Sequence, residues 1–322
     1  MASTPRLRGA DAKAYVKAES TYGTAPSGDW AQIPFYSMTA GATSSLQDDP
    51  VLSATGEVTR DSTGAFLGRP ETGNDIVVPV DLESIGFWLK MLLGAPSTTG
   101  SSDYVHTFVS GYQSGLPSFS LEKHLARISK YALITGAKAN TLSITATTDQ
   151  RPRATIGIIG QDEAISGSSA AGTPTFAGMT QFVQRQATLT LDGSAFGNCS
   201  SLEFMYSNNM EPYYDLNSGD TLAGIDEGIA TFTGSATVRV SEDAATLITN
   251  AQTETTHAMV FKLQISSTKL LQITAHDILL SRPTIGINGP GGTDVTFNFT
   301  AKYNSSGGEM VEFILKNQTA SY

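Results

Sequence analysis

The chain of 322 residues is poor in the side chains that most chemistry uses. Its single cysteine, Cys199, excludes an internal disulfide and any multi-thiolate metal site within one chain. Of its four histidines, His106, His124, His257 and His276, none stands in an H-E-x-x-H or H-x-H pair, so spacing offers no zinc site. No G-x-S-x-G elbow occurs. No apolar run approaches the ~18 residues of a membrane helix; the most apolar stretch, Ile85 to Leu93, is about half as long. Charged residues make up only 16%, below the usual ~25%, and small residues fill the gap. The 20 basic residues are outnumbered by 30 acidic ones, for a net charge of -10. Gripping nucleic acid by its phosphates needs clustered Lys and Arg, so that class is excluded. The start, Met-Ala-Ser-Thr-Pro-Arg-Leu-Arg, lacks the apolar core of a secretory signal, and the expectation is folding in a reducing cytoplasm.

What the chain does contain is strand signal. Thr141 to Thr147, Ala187 to Asp192, Ala236 to Val240, Phe261 to Ile265 and Val295 to Phe299 each alternate polar and apolar residues with period two. Such alternation predicts antiparallel strands with one buried and one exposed face. Asp192-Gly193, the run Asn288 to Gly292 and Ser305 to Gly308 punctuate them as turns.

Two segments read as helices. The first spans about Leu82 to Leu93, with Asp81 as N-cap and Gly94 then Pro96 as stop signals. Leu82, Ile85, Leu89 and Leu92 form one apolar stripe; Trp88 and Met91 form a second, widened by Phe87. A helix apolar on two sides is buried on two sides. The second stripe can pack in the chain's own core or on a neighbouring subunit; Phe87, Trp88 and Met91 are the candidate interface residues under the latter reading. The second helix runs from Glu242 to about Thr249, with Ser241 as N-cap and Glu242 and Asp243 in the first turn.

The order of elements repeats loosely between the two halves. A strand leads into each capped helix, several strands follow, and a long polar loop precedes. Residues 166–175, rich in Ser, Gly and Ala, read as the connection. The expected organisation is a mainly β chain of two tandem antiparallel β-sandwich or barrel domains, 1–165 and 176–322, each with one flanking helix. The loops, about Leu46–Thr72 and Asn209–Gly228, carry the acidic residues Asp48, Asp49, Asp215, Asp220 and Asp226. Loops of this length are functional or unstructured. The run Asp215 to Asp220 lacks the later ligands of a calcium loop and reads as a solvated acidic turn. Asp48-Asp49 and Asp226-Glu227 are adjacent in sequence and point apart in an extended chain, unlike the facing carboxylates of a glycosidase. No enzyme, cofactor or metal site emerges.

Several motifs taken in order carry a resemblance. They are Glu19-Ser-Thr-Tyr-Gly-Thr-Ala-Pro26, then Trp30 and Ile33-Pro34, then Val78-Pro79-Val80-Asp81 running into the first helix. His106-Thr107-Phe108, Leu116 to Ser120, Asn140 to Ile144 and Arg153 to Glu163 complete the series. Over most of residues 14–163 the chain resembles the tail tube (major tail) proteins of long-tailed bacteriophages; the second half matches more weakly.

That resemblance implies a structural subunit of the virion tail. It implies β-sandwiches assembled into rings, rings stacked into a tube, inner strands lining a channel for DNA, and long loops joining one ring to the next. Implied partners are further copies of the chain, the tail terminator, baseplate and tape-measure proteins, and double-stranded DNA in passage; no membrane is involved. An acidic lumen would repel phosphates and let DNA slide. Two related halves suggest three chains per ring with pseudo-sixfold symmetry. Charge separates the halves: residues 1–165 hold 13 basic and 16 acidic residues, net -3, and residues 166–322 hold 7 and 14, net -7. The alternatives are another virion ring of the same fold, a terminator or baseplate ring, and a β-sandwich surface-binding module.

Overall fold

The computed structural model describes residues 6–49, 51, 60–61, 64–111, 115–196, 198–287, 289–304 and 308–322. The first half contains β1 (Ala12–Ala18), β2 (Ala31–Ile33), β3 (Ser37–Met38), β4 (Gly41–Thr43), β5 (Leu46–Asp48), β6 (Ala65–Leu67), β7 (Glu71–Pro79) and α1 (Ile85–Leu93). It continues with β8 (Ser97–Thr99), β9 (Tyr104–Val109), β10 (Phe119–Leu125), β11 (Lys130–Thr147), β12 (Arg153–Gly160) and β13 (Asp162–Ser166). The second half contains β14 (Ala187–Leu191), β15 (Ser194–Ala195), β16 (Cys199–Ser207), β17 (Glu211–Tyr213), β18 (Gly224–Asp226), β19 (Thr231–Arg239) and α2 (Glu242–Gln252). It ends with β20 (Thr256–Ser266), β21 (Lys269–Leu280), β22 (Asp294–Ala301) and β23 (Val311–Asn317). The fold is mainly β and antiparallel, as the alternation predicts.

Six strand pairings occur twice in the same order. In the first half β1 pairs with β10, β10 with β11, β11 with β12 and β13, β12 with β7, and β7 with β3 and β4. In the second, β14 pairs with β20, β20 with β21, β21 with β22 and β23, β22 with β19, and β19 with β16. A helix follows β7 in one case and β19 in the other. The halves are then joined by two ladders: β11 with β16, Thr141↔Ser207 through Thr147↔Ser201, and β9 with β23, Tyr104↔Asn317 through Val109↔Glu312. One apolar core draws residues from both halves, among them Trp88, Ile144, Phe204, Phe232, Phe297 and Phe313.

β11 belongs to two sheets. Its first part pairs with β10 and β13, its second with β12 and β16. The crossover lies at Gly136, whose φ of 61° is left-handed and costs glycine little. Glu19 fixes this bend. Its carboxylate accepts from the Gly136 N–H (2.8 Å), the Ser118 and Ser120 hydroxyls (2.7 and 2.6 Å) and the Gly23 N–H (3.0 Å). The opening motif of the first half thus holds a turn and a strand crossover together.

Residues 166–175 are docked on the first half. The Ser169 hydroxyl and Ala170 N–H both donate to the buried Glu122 carboxylate at 2.6 Å, the Thr173 N–H donates to Asp29, and Ala171 is buried beside Tyr15 and Trp30. The small residues that suggested a free connection serve close packing: a Cβ on Gly172 would meet the Gly28 carbonyl at 2.8 Å.

Candidate functional site

A broad surface feature is the open face of the sheet β7–β12–β11–β16–β19–β22, which crosses from one half to the other. Alternation along each strand turns one set of side chains into the core. One inward row is Ile76, Ile156, Leu142, Tyr206 and Phe232, all buried. A second inward row passes Val78, Ala154, Ile144 and Phe204 to Gly234, where a Cβ would collide with the Glu203 carbonyl and the Phe299 ring. The outward rows are different in kind. One reads Val77, Thr155, Ser143, Met205, Thr233 and Thr300; the next reads Arg153, Thr145, Glu203, Ser235 and Asn298. Ser and Thr dominate. The face's charges are Glu71, Asp75, Lys138, Arg153, Glu203, Arg239 and Asp294, of which Arg239 and Asp294 pair at 3.1 Å and Lys138 pairs with Glu227 at 2.8 Å. The Arg153 guanidinium stacks over the Tyr36 ring, 4.4 Å from its centroid. The result is a broad face, rich in hydroxyls and nearly neutral.

Two hairpin arms leave one end of this sheet. The first, β5 with β6, exposes Leu46, Phe66 and Leu67; Asp48 stands opposite Ala65 at its described end. The rest of that loop, residues 50, 52–59 and 62–63, lies outside the described residues. The second, β17 with β18, exposes Tyr213, and Leu216 at its tip is 99% exposed. The Arg69 guanidinium lies over the Tyr214 ring at 4.4 Å, so the two arms are neighbours. A small core of Leu116, Met210, Leu222 and Ile225 roots the second arm, helped by Lys138–Glu227 at 2.8 Å.

The phage tail tube protein model matches residues 9–301, nearly the whole chain and both halves. The chain belongs to the phage tail tube protein family. A search of curated proteins finds no match. A tail tube protein is a structural component of the virion tail that self-assembles into a tube.

Within this tail tube protein, the candidate interface residues of α1 sit elsewhere than the second-stripe reading requires. Trp88 and Met91 are 0% exposed and Phe87 is only partly exposed. Trp88 meets Phe87 and Phe119 edge-to-face at 5.3 and 5.6 Å. The second stripe is thus covered by the chain itself, and neither Trp88 nor Met91 can touch a neighbouring subunit without opening this core. Phe119 of β10 covers this stripe, meeting both Phe87 and Trp88; Tyr322 lies over Gly86 on another side of the helix, and Asn317 and Asn208 donate to the Leu82 and Leu92 carbonyls. Asp81 does organise the helix start. Its Oδ1 accepts from the Glu83 and Ser84 N–H groups at 2.8 and 2.7 Å, and its Oδ2 takes the Ser84 hydroxyl. Burial pushes its pKa up, against those hydrogen bonds.

The acidic loop residues do not converge. Asp215 turns its carboxylate onto its own backbone, accepting from the Asn217 and Ser218 N–H groups and the Ser218 hydroxyl at 2.8, 2.7 and 2.6 Å, which hold its pKa down. Asp220 lies in the following turn and Asp226 is exposed on β18 opposite Glu211. The Asp49 N–H reaches the Gly64 carbonyl at 3.4 Å. Each histidine has a local partner: His106 with Thr98 and the Thr319 carbonyl, His124 with Tyr15, His257 with Asp192, and His276 with Glu309. Burial raises the Cys199 thiol pKa, so it stays protonated, as an inert thiol does. Sequence reasoning missed the cross-half face. Its signal was present in the outward Ser/Thr positions of β11, β12, β19 and β22, but the order in which those strands adjoin is not a local property.

Proposed function

We propose that this tail tube protein forms rings of three chains, pseudo-hexameric, that stack into the channel through which viral DNA is ejected into the host. Each chain supplies two sandwich domains, 1–165 and 176–322, which occupy adjacent ring positions. The observation that carries the reading is the recurrence of the same six pairings in both halves, fused side by side through β11 and β16. A homotrimer of such chains closes with two alternating kinds of contact.

The open face lines the lumen in this reading. An acidic lumen is not what it offers: four acidic and three basic residues leave the face close to neutral. The physical argument changes accordingly. Binding to the DNA backbone grows with each phosphate neutralised by Lys or Arg, and a hydroxyl face with two arginines, one ion-paired and one stacked on tyrosine, and one ion-paired lysine neutralises very few. DNA slides because nothing holds it. The arms, with Leu46, Phe66, Leu67 and Leu216 exposed beside Asp48, Asp49, Asp215, Asp220 and Asp226, bridge successive rings. Assembly takes place in the host bacterial cytoplasm, with the tape-measure protein inside the tube and the baseplate and terminator at its ends.

Helical reconstruction of assembled tubes tests the reading. Three chains per ring, with β7–β12–β11–β16–β19–β22 facing the lumen, are expected; six chains per ring overturn the stoichiometry. A low copy number in purified virions would instead favour a terminator or baseplate ring.

A further inference from the structure

The two helices follow corresponding strands, β7 and β19, and the space beneath them is treated differently. Under α1, Phe119 at the start of β10 meets Phe87 and Trp88 edge-to-face at 5.8 and 5.6 Å, and the rings fill the contact. β20 is the counterpart of β10, and its second residue is His257. Under α2 there remains a cavity of about 310 Å³, walled by β14 and β15, the end of β19, α2 and His257. Its lining combines the apolar Leu191, Phe196 and Leu247 with the polar Asp243 and Asn250 of α2. A hydrogen-bonding ring thus stands at the strand start that holds a phenylalanine in the first half.

His257 is only 4% exposed, and its ring is held from one side. Nδ1 lies 2.6 Å from Asp192 Oδ2, and the Ala258 N–H donates to Oδ1 of the same carboxylate at 2.8 Å. Burial works against the charge on Asp192, but these bonds outweigh it and keep the carboxylate ionised. An ionised carboxylate only accepts, so the proton between them sits on Nδ1. The neutral ring then carries its lone pair on Nε2, on the side away from Asp192. Nε2 is buried and has no partner among the described residues. A buried acceptor without a donor is a cost to the fold. In the wall of a cavity, that acceptor is available to a donor from outside the chain.

We propose that the cavity under α2 binds an alkylammonium group, which donates to His257 Nε2 and lays its alkyl chain against Leu191, Phe196 and Leu247. The charges of the lining favour a cation: Asp192 and Asp243 are acidic, and the guanidinium of Arg239 is already paired with Asp294 at 3.1 Å. A carboxylate or phosphate would meet two like charges and bring no donor to Nε2. An ammonium has three donors, and Asp243 and Asn250 in the same lining offer acceptors for the others. A free aliphatic amine and the tip of a lysine side chain share this chemistry. The site is independent of the tube reading, because every residue in it belongs to the second half of one chain.

Nitrogen NMR of the histidine side chains in the full-length protein tests the site. His257 should appear in the Nδ1–H form, and n-butylamine at neutral pH should move its Nε2 resonance saturably, with a Kd on the order of millimolar for so small a ligand. His257→Phe, which restores the first half's hydrocarbon ring, should abolish saturation transfer to the amine. Asp243→Asn, at an exposed position of α2, should weaken binding about tenfold. Binding should fall as acid protonates Nε2, because the lone pair is then taken, and butyrate should not bind. Nα-acetyl-lysine amide separates the two sources: binding like that of butylamine points to a lysine tip, and none points to a free amine. An Nε2–H ring, butyrate that binds as well as butylamine, saturation transfer that survives His257→Phe, or no saturable shift in the wild type overturns the proposal.

Discussion

The two halves share a frame and differ in how they treat their helices. In the first, α1 is apolar on two sides and seven of its nine residues are buried. β9, inserted after the helix, pairs with β23 of the other half, and Tyr322 closes over Gly86. In the second, α2 buries only Ala244 and leads directly into β20. Its polar first turn, with the Ser241 hydroxyl accepting from the Ala244 N–H at 3.4 Å, belongs to a helix lying on the surface. One duplicated frame has therefore divided its roles: the first half's helix is the keystone of the chain's own core, and the second half's helix is a covering element. Apolar content around a helix measures how many layers cover it, and cannot by itself say whose layers they are.

The sharpest way to break this comparison is at the core of α1. Trp88→Ala should cost about 3–5 kcal/mol, the range for emptying a buried aromatic site. Leu247→Ala on α2, partly buried, should cost about 1–2 kcal/mol. Urea midpoints of the two variants against wild type give the ratio. Next in size is Gly86→Ala, whose new methyl collides with the Tyr322 ring; about 1–3 kcal/mol is expected. Combined with Tyr322→Ala the penalty should largely vanish, and a double-mutant cycle reads that coupling.

A smaller effect separates the halves by pH. In the second half the Asp192 carboxylate pairs with His257 Nδ1 at 2.6 Å and accepts the Ala258 N–H at 2.8 Å. Burial alone would raise its pKa; those bonds outweigh it and hold the carboxyl below its ordinary value. The contribution is thus complete above the ordinary carboxylate range and is lost as pH falls through the lowered pKa. Because the Asp192 side chain is half exposed, Asp192→Asn should cost below about 1 kcal/mol at neutral pH. The difference from wild type should shrink in acid, measured by urea melts across pH. The smallest effect on the monomer is at the arm tip: Leu216→Asp should leave the melting curve unchanged while shortening tubes seen by negative stain.

Much of this architecture was legible locally. The alternating runs became β11, β14, β19, β20 and β22. Ser241 caps α2, and Asp192-Gly193 forms the turn after β14. Asp81 binds the turn ahead of α1, although the regular helix starts at Ile85 where Leu82 was expected. What stayed hidden was relational. Thr141–Thr147 reads as a strand of its own, yet it is the second part of β11, which changes sheets at one glycine in the left-handed region. The small residues of 166–175 read only as a connection because packing against Glu122 and Trp30 depends on partners more than forty residues away. The second apolar stripe of α1 gave no hint that Phe119 of β10 would cover it. The open face of Ser and Thr required knowing that β11 lies beside β16.

The β11–β16 ladder also bears on how assembly begins. Because both strands lie on one polypeptide, that seam forms at an effective concentration on the order of millimolar, whatever the dilution of the protein. In a ring of three such chains, every second seam is already closed when the chains meet, and only the seams between chains respond to supply. The onset of ring formation then follows about the third power of protein concentration where six separate sandwiches would follow about the sixth. In such a ring, carrying two sandwich units on one chain would make nucleation less steeply dependent on protein concentration.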